Sequence, residues 1–370
     1  MACLSNDLKP DRTKPKGLIV NSRILWSFSA VFQAWPEALY RQMANRALEV
    51  VMNSFWDTEH GGAFWQLDGD GRVLDGSKKT YGQAFYIYAL VEYFRAFGGN
   101  AALVRAKELF DLIERHAHDD RNGGYWEVRQ RDWSEAGADA RLSEKDLNEK
   151  KSMNNHLHVL EAYTNLYRVW KDRRVEERLR ELIALFEHRI LDSHTLHLHH
   201  FFDETWKVRS NTYTFGHDIE GTWLLCEAAE VLGDDDALLK QTQATALRMA
   251  EAVLNEGIEE DGGLCYEGRA GIAIDRGKEW WPQAEAVIGF LNAFQISGDP
   301  KYLDAARRVW DFIEQHLVDR THGEWFWRIT PEGQVDASQP KISEWKEPYH
   351  SSRACLEAVH RLQKNISLIG

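Results

Sequence analysis

Three histidines stand where apolar segments begin: His158 in MNNHLHVLEAY, His217 in GHDIEGTW and His350 in EPYHSSR. An imidazole titrates near pH 6.5, so each can accept or release a proton at neutral pH. Other polar or aromatic residues occupy the same kind of position: Arg23 in NSRILW, Tyr81, Asn154, Glu220, Trp280 and Trp281 in EWWPQAE, and Trp345 in EWKEPYH. Asn154 and His158 are spaced i,i+4, and His217 and Glu220 i,i+3, so on helices each pair shares a face. Tryptophan faces suit the apolar faces of sugar rings as well as helix packing. Histidines outnumber unpaired carboxylates at these positions, which favours proton transfer at carbon over acid-assisted glycoside cleavage. The rival hydrolase would draw on Glu220, Glu279, Glu285 or Asp218, with Glu220 otherwise read as a carboxylate that orients a histidine.

His194, His197, His199 and His200 cluster, and His156 and His158 form an HxH pair. Neither HExxH nor a set of carboxylates at ligand spacing accompanies them, so no metal is expected. His156, two positions from His158, points elsewhere on the helix and reads as structural. G-x-G-x-x-G, Walker and GxSxG patterns are absent, and no cofactor is expected.

These positions recur because the chain repeats. An amphipathic helix ends near an acidic residue, a Gly-containing turn with aromatics follows, and a more apolar helix comes next. The turns are DTEHGGAF from Asp57, DDRNGGYW from Asp119, DGGLCY from Asp261 and DRTHGEWF from Asp319, with a degenerate copy from Asp192 through His197 to Phe202. The amphipathic members, such as Arg105 to His116 and Ala305 to His316, face solvent. The apolar members are Asn21 to Phe32, Tyr81 to Phe97, Asn154 to Trp170, His217 to Leu232, Trp281 to Ile296 and Tyr349 to Leu362, and helices apolar nearly all round are buried on most sides. This pattern predicts an all-α fold, an (α/α)6 barrel with short β-hairpin turns, as a single domain over 1–370. Met1 to Gly17 is too short and polar to supply the first outer helix, so that helix is expected to be missing.

The formal charge of −13 and pI near 5.6 argue against nucleic acid as a partner, since phosphate binding needs a basic face. Cys3, Cys226, Cys265 and Cys355 form no CxxC pair, and no signal peptide or bilayer-spanning run is visible. A cytoplasmic enzyme with a small-molecule partner is expected, away from membranes, as a monomer or weak homodimer.

The motifs NSRILW, MNNHLHVLEAY, FGHDIEGTWLL, WWPQAEA and EWKEPYHSSRACLE resemble those of the N-acylglucosamine 2-epimerase superfamily, most closely its cellobiose 2-epimerase branch. The likeness runs from about Ala2 onward. It implies an (α/α)6 barrel and cofactor-independent epimerisation at C2 of the reducing-end glucose of a β-1,4-linked disaccharide. By resemblance, His217 and His350 are the general acid/base pair on opposite faces of C2, and His158 assists ring opening. Arg23 stabilises the enediolate, Glu220 partners His217, Tyr81 and Asn154 contact the sugar, and Trp281 and Trp345 stack on its rings, with Trp280 beside them. N-acylglucosamine 2-epimerase or mannose isomerase activity is the nearest alternative, and an (α/α)6 glycoside hydrolase the alternative from another class.

Overall fold

Glycine and acidic residues punctuate a chain whose regular structure, in a computed structural model, is mostly helical. The structure describes residues 3–137, 139–143, 146–233 and 235–369, the last six by backbone alone; Met1, Ala2 and Gly370, at the ends of the expected domain, lie outside them. The described helices are α1 (Leu18–Ala34), α2 (Ala38–Ser54), α3 (Thr80–Phe97), α4 (Asn100–His116), α5 (Met153–Val169), α6 (Arg173–Leu185), α7 (Phe215–Leu232), α8 (Asp236–Glu256), α9 (Trp280–Ser297), α10 (Pro300–Phe312) and α11 (Tyr349–Ile369). Both α6 and α10 run on into one π-helical turn, Phe186–Ile190 and Ile313–Leu317.

The odd-numbered helices pack in a closed cycle, α1 on α3, α3 on α5, α5 on α7, α7 on α9, α9 on α11 and α11 on α1, and each of α2, α4, α6, α8 and α10 packs outside the inner helix before it. The result is a helical barrel. Composition explains the division. In α3 every residue from Thr80 to Glu92 is buried, whereas α4 buries only the stripe Ala102, Ala106, Leu109, Phe110 and Ile113 and carries beside it the part-buried Arg105, ion-paired at i,i+3 with the exposed Glu108. Ahead of α1, residues 3–17 form no helix. Cys3–Leu4 instead pairs with Pro10–Asp11, and Leu4 exchanges backbone hydrogen bonds with Ile342, fastening this segment to the loop before α11. No described helix is long and apolar enough to cross a membrane.

The turns show how the repeat is held. Asp57 and Asp119 each accept a backbone N–H from the glycine four residues on, and Gly61, Gly62, Gly123 and Gly124 all take φ of 70–75°. Those are left-handed conformations that glycine adopts without strain. In the degenerate copy Leu196 takes that place at φ 67°. A buried lysine ahead of the next inner helix then reaches an acid at or beside the turn: Lys78 to Asp57 at 3.0 Å, Lys151 to Asp119 at 2.7 Å, Lys341 to Asp319 and Lys278 to Glu259. Breaking such a buried pair from one side costs about 3–5 kcal/mol.

Short strands orient the barrel. The two residues before each of the first five inner helices pair antiparallel with a strand that follows the next outer helix: Lys16–Gly17 with Gln66–Leu67, Lys78–Lys79 with Val128–Arg129, Lys151–Ser152 with Phe201–Phe202, Tyr213–Thr214 with Glu267–Arg269, and Lys278–Glu279 with Arg328–Ile329. Inner-helix N-termini therefore gather at one end of the barrel, and with them the residues singled out by position.

Candidate active site

At that end lies a cavity of about 670 Å³ whose wall contains Arg23, Tyr81, Asn154, His158, His217, Glu220, Trp280, Trp281, Trp345 and His350. All ten residues expected from the sequence thus share one pocket. Trp65 and Trp327 join them from the turns.

Each of the three histidines is held through Nδ1. His158 meets Glu161 Oε2 at 2.8 Å, His350 meets Glu285 Oε1 at 2.7 Å, and His217 meets the Thr214 hydroxyl at 2.5 Å. Tying down one ring nitrogen fixes the imidazole's orientation and leaves Nε2 as the nitrogen available for chemistry. Burial, reinforced at His217 by nearby histidines and at His350 by Arg23 and Arg353, holds both rings well below the ordinary value. Burial also lowers His158, against the pull of Glu161. Neutral imidazoles at neutral pH are competent bases.

Beneath them Arg353 of α11 gathers three buried carboxylates. Its Nη2 donates to Glu220 Oε1 at 2.6 Å and to Glu285 Oε1 at 2.7 Å, while Nη1 donates to Glu161 and Tyr349. Burial alone would raise Glu161, but the Arg353 charge and the bond to His158 hold it at about 2. Burial and the neighbouring Glu285 push Glu220 up to about 8. A single guanidinium thus fixes the carboxylates behind two of the histidines.

Arg23 donates from Nη2 to the Tyr81 hydroxyl at 2.9 Å, and its guanidinium lies over the Phe85 and Tyr349 rings, 4.3 and 4.9 Å from their centroids. Its Nη1 is 3.7 Å from Glu347, a buried carboxyl pushed up to about 8 by burial. The Trp281 ring lies 4.6 Å from that of His217 and 5.9 Å from that of His350, so one indole flanks both imidazoles. Trp345 packs against Trp65 at 6.0 Å and Tyr81 at 6.5 Å on another stretch of wall. Asn154 Oδ1 and Trp280 Nε1 are buried without a protein partner among the described residues. Such groups are satisfied when a ligand hydroxyl supplies the missing bond.

Residues 1–354 match the profile of the family described as N-acylglucosamine 2-epimerase (GlcNAc 2-epimerase). The chain belongs to this family. It is an isomerase-class enzyme, a carbohydrate epimerase. Among N-acylglucosamine 2-epimerase relatives it is 46% identical over 343 residues to a cellobiose 2-epimerase of Bacteroides fragilis, covering 92% of this chain and 87% of that one. It is 40% identical over 357 residues to the cellobiose 2-epimerase of Dictyoglomus turgidum, covering 96% and 90%. A solved structure of the cellobiose 2-epimerase from Bacillus thermoamylovorans superposes with a TM-score of 0.91 at 37% identity, covering 97% of this chain and 92% of that one.

One expected pairing in this site is not formed. Glu220 does lie one turn from His217, but its carboxylate is bonded to Arg353, and His217 Nδ1 turns back to Thr214. A charged guanidinium is a stronger partner for a carboxylate than a neutral imidazole. Glu161, Thr214 and Arg353 escaped the sequence reading. The spacing of Glu161 from His158 was a usable signal; the reach of Arg353 across the barrel was not. His156 bonds backbone through both nitrogens, accepting from Tyr125 N at 2.8 Å and meeting Ser152 O at 2.6 Å, as a structural residue does. His197 is clamped between Asp218 at 2.8 Å and Glu256 at 3.0 Å. Among the described residues, Glu220, Glu285 and His350 bring metal-type donors within 4.8 Å of one another. The Arg353 guanidinium, bonded to both carboxylates, holds the cationic position there.

Proposed function

We propose that the protein interconverts glucose and mannose at the reducing end of β-1,4-linked disaccharides, turning cellobiose into 4-O-β-glucosyl-mannose and lactose into epilactose, without a cofactor. In this reading the barrel is of the (α/α)6 type, with five outer helices on six inner ones, and 1–370 is one domain, cytoplasmic, working as a monomer or weak homodimer.

The observation that carries the reading is the pair His217 and His350. They come from different inner helices, flank one indole, and are both held through Nδ1 with Nε2 left for chemistry. His158 assists opening of the sugar ring, which makes the C2 proton acidic. One histidine removes that proton, and Arg23 stabilises charge on the enediolate oxygens as a preorganised donor. Rotation about the C2–C3 bond presents the other face, and the second histidine, having taken up a proton from water at Nε2, delivers it to C2, while the first releases to water the proton it removed. Tyr81 and Asn154 hold hydroxyls, while Trp280, Trp281 and Trp345 supply apolar faces for the two rings. Carboxylates fit a supporting role: Glu161, Glu220 and Glu285 converge on one guanidinium instead of flanking a scissile bond. The test is product analysis with cellobiose. Glucosyl-mannose is expected; a ketose disaccharide would make the enzyme an aldose-ketose isomerase, and free glucose a hydrolase.

A further inference from the structure

His217 differs from the other two cavity histidines in what stands behind it. Carboxylates, which when ionised only accept hydrogen bonds, back His158 and His350. Behind His217 is a hydroxyl, which can either accept a proton from Nδ1 or donate one to it. If it donates, Nε2 carries the ring proton and cannot act as a base. A second acceptor for the hydroxyl hydrogen would remove that ambiguity, and the structure contains one. His200 Nε2 accepts the Thr214 backbone N–H at 3.0 Å, so it carries no proton of its own, and it lies 3.4 Å from Thr214 Oγ1, where its one lone pair can be shared with the hydroxyl hydrogen in a longer bifurcated bond.

We propose that Thr214 and His200 act together as positioning residues that set the tautomer of His217: the Thr214 oxygen accepts the His217 Nδ1 proton while its own hydrogen rests on His200 Nε2, leaving His217 Nε2 as the lone pair that meets the substrate. The local fold supports this. Thr214 ends the strand Tyr213–Thr214, pinned to Gly268 and Glu267, and is the cap residue of α7, so its position relative to His217 three residues on is fixed by backbone. Burial and the adjacent His199 hold His200 at about 4, neutral and able to accept. This inference rests on His217 being one of the two C2 bases.

The experiment is nitrogen NMR on histidine-labelled protein, with the His217 and His200 signals assigned by substitution, alongside kinetics on cellobiose. In the wild type, His217 is expected to be protonated on Nδ1 and bare on Nε2, and His200 bare on Nε2. T214V, isosteric but without the hydroxyl, should shift His217 toward the other tautomer and lower kcat by about 10- to 100-fold with KM little changed. T214S should restore both. His217 carrying its proton on Nε2 in the wild type would overturn the proposal whether or not any variant folds, as would T214V with the wild-type tautomer and kcat. H217A, measured in parallel, separates this from the underlying reading: if H217A is inactive while T214V matches the wild type, only the Thr214–His200 proposal fails. If H217A turns over normally, His217 is not a base at all.

Discussion

Glu285 Oε1 lies 2.7 Å from His350 Nδ1 and accepts Arg353 Nη2 at the same distance. One oxygen thus serves the imidazole and the guanidinium together. Its negative charge is partly spent on Arg353, so it orients His350 without making it a permanent imidazolium.

Replacing Glu285 with glutamine keeps the shape and removes the charge. E285Q is expected to lower kcat by about 10- to 100-fold, since orienting partners of catalytic histidines carry effects of that size, with a smaller change in KM. Steady-state kinetics on cellobiose check this, and an unchanged kcat would remove Glu285 from the mechanism.

Arg353 is expected to matter for stability as much as for catalysis. R353M leaves the ionised Glu161 buried without its cation and strips Glu220 and Glu285 of their donor, and stranding a buried charge costs about 3–5 kcal/mol. Denaturant unfolding of the variant should show a loss of this order, with part of the penalty relieved when E161Q removes the carboxylate that Arg353 holds ionised. A variant as stable as the wild type would contradict the network.

The rate should fall on both sides of neutrality. His217 and His350 are held below their usual 6.5, so they are neutral above it and kcat/KM should fall only when the pH drops beneath that value. Glu220, pushed up to about 8, ionises as the pH rises past that point and sets a second negative charge against Glu285. Stability has the same two flanks. A histidine with a lowered folded value binds more protons unfolded, so its contribution is present above 6.5 and lost as the pH falls. A carboxyl raised from 4.5 to about 8, as in Glu220 and Glu347, contributes fully below 4.5 and loses that contribution as the pH rises through 8. A pH–rate profile flat through this range, or an alkaline limb unaltered in E220Q, would count against these assignments.

Much of this site was legible because the repeat places its chemistry at inner-helix starts. The expected starts at Asn21, Tyr81, Asn154, His217, Trp281 and Tyr349 fall within three residues of the observed Leu18, Thr80, Met153, Phe215, Trp280 and Tyr349. Apolar periodicity carries that information. What the sequence withheld is tertiary: Arg353 meets Glu285, Glu220 and Glu161 across 68, 133 and 192 residues, distances over which no helical spacing speaks. Thr214 was missed for a local reason. It lies in the strand just before α7, so a search along helix faces passes over it. The Glu220–His217 pairing failed because i,i+3 spacing shows which groups can meet and not which competitor arrives from another helix.

Trp345 tests the assignment of the second sugar ring. Aromatic stacking is worth about 0.5–1.5 kcal/mol, so W345A should raise KM for cellobiose by roughly 2- to 10-fold with a smaller effect on kcat. Any activity on glucose or mannose should be less affected. An equal loss on both would place Trp345 at the reacting ring.

The two-base mechanism itself is tested by following each epimer separately in D2O by NMR, with wild type, H217A and H350A. Wild type should place deuterium at C2 of the mannosyl product. Each variant should lose epimerisation yet exchange the C2 proton of one epimer, H217A and H350A acting on opposite ones, because the remaining histidine still faces one side of C2. A variant that still interconverts the epimers, or a single histidine that exchanges C2 of both, would contradict proton transfer between His217 and His350.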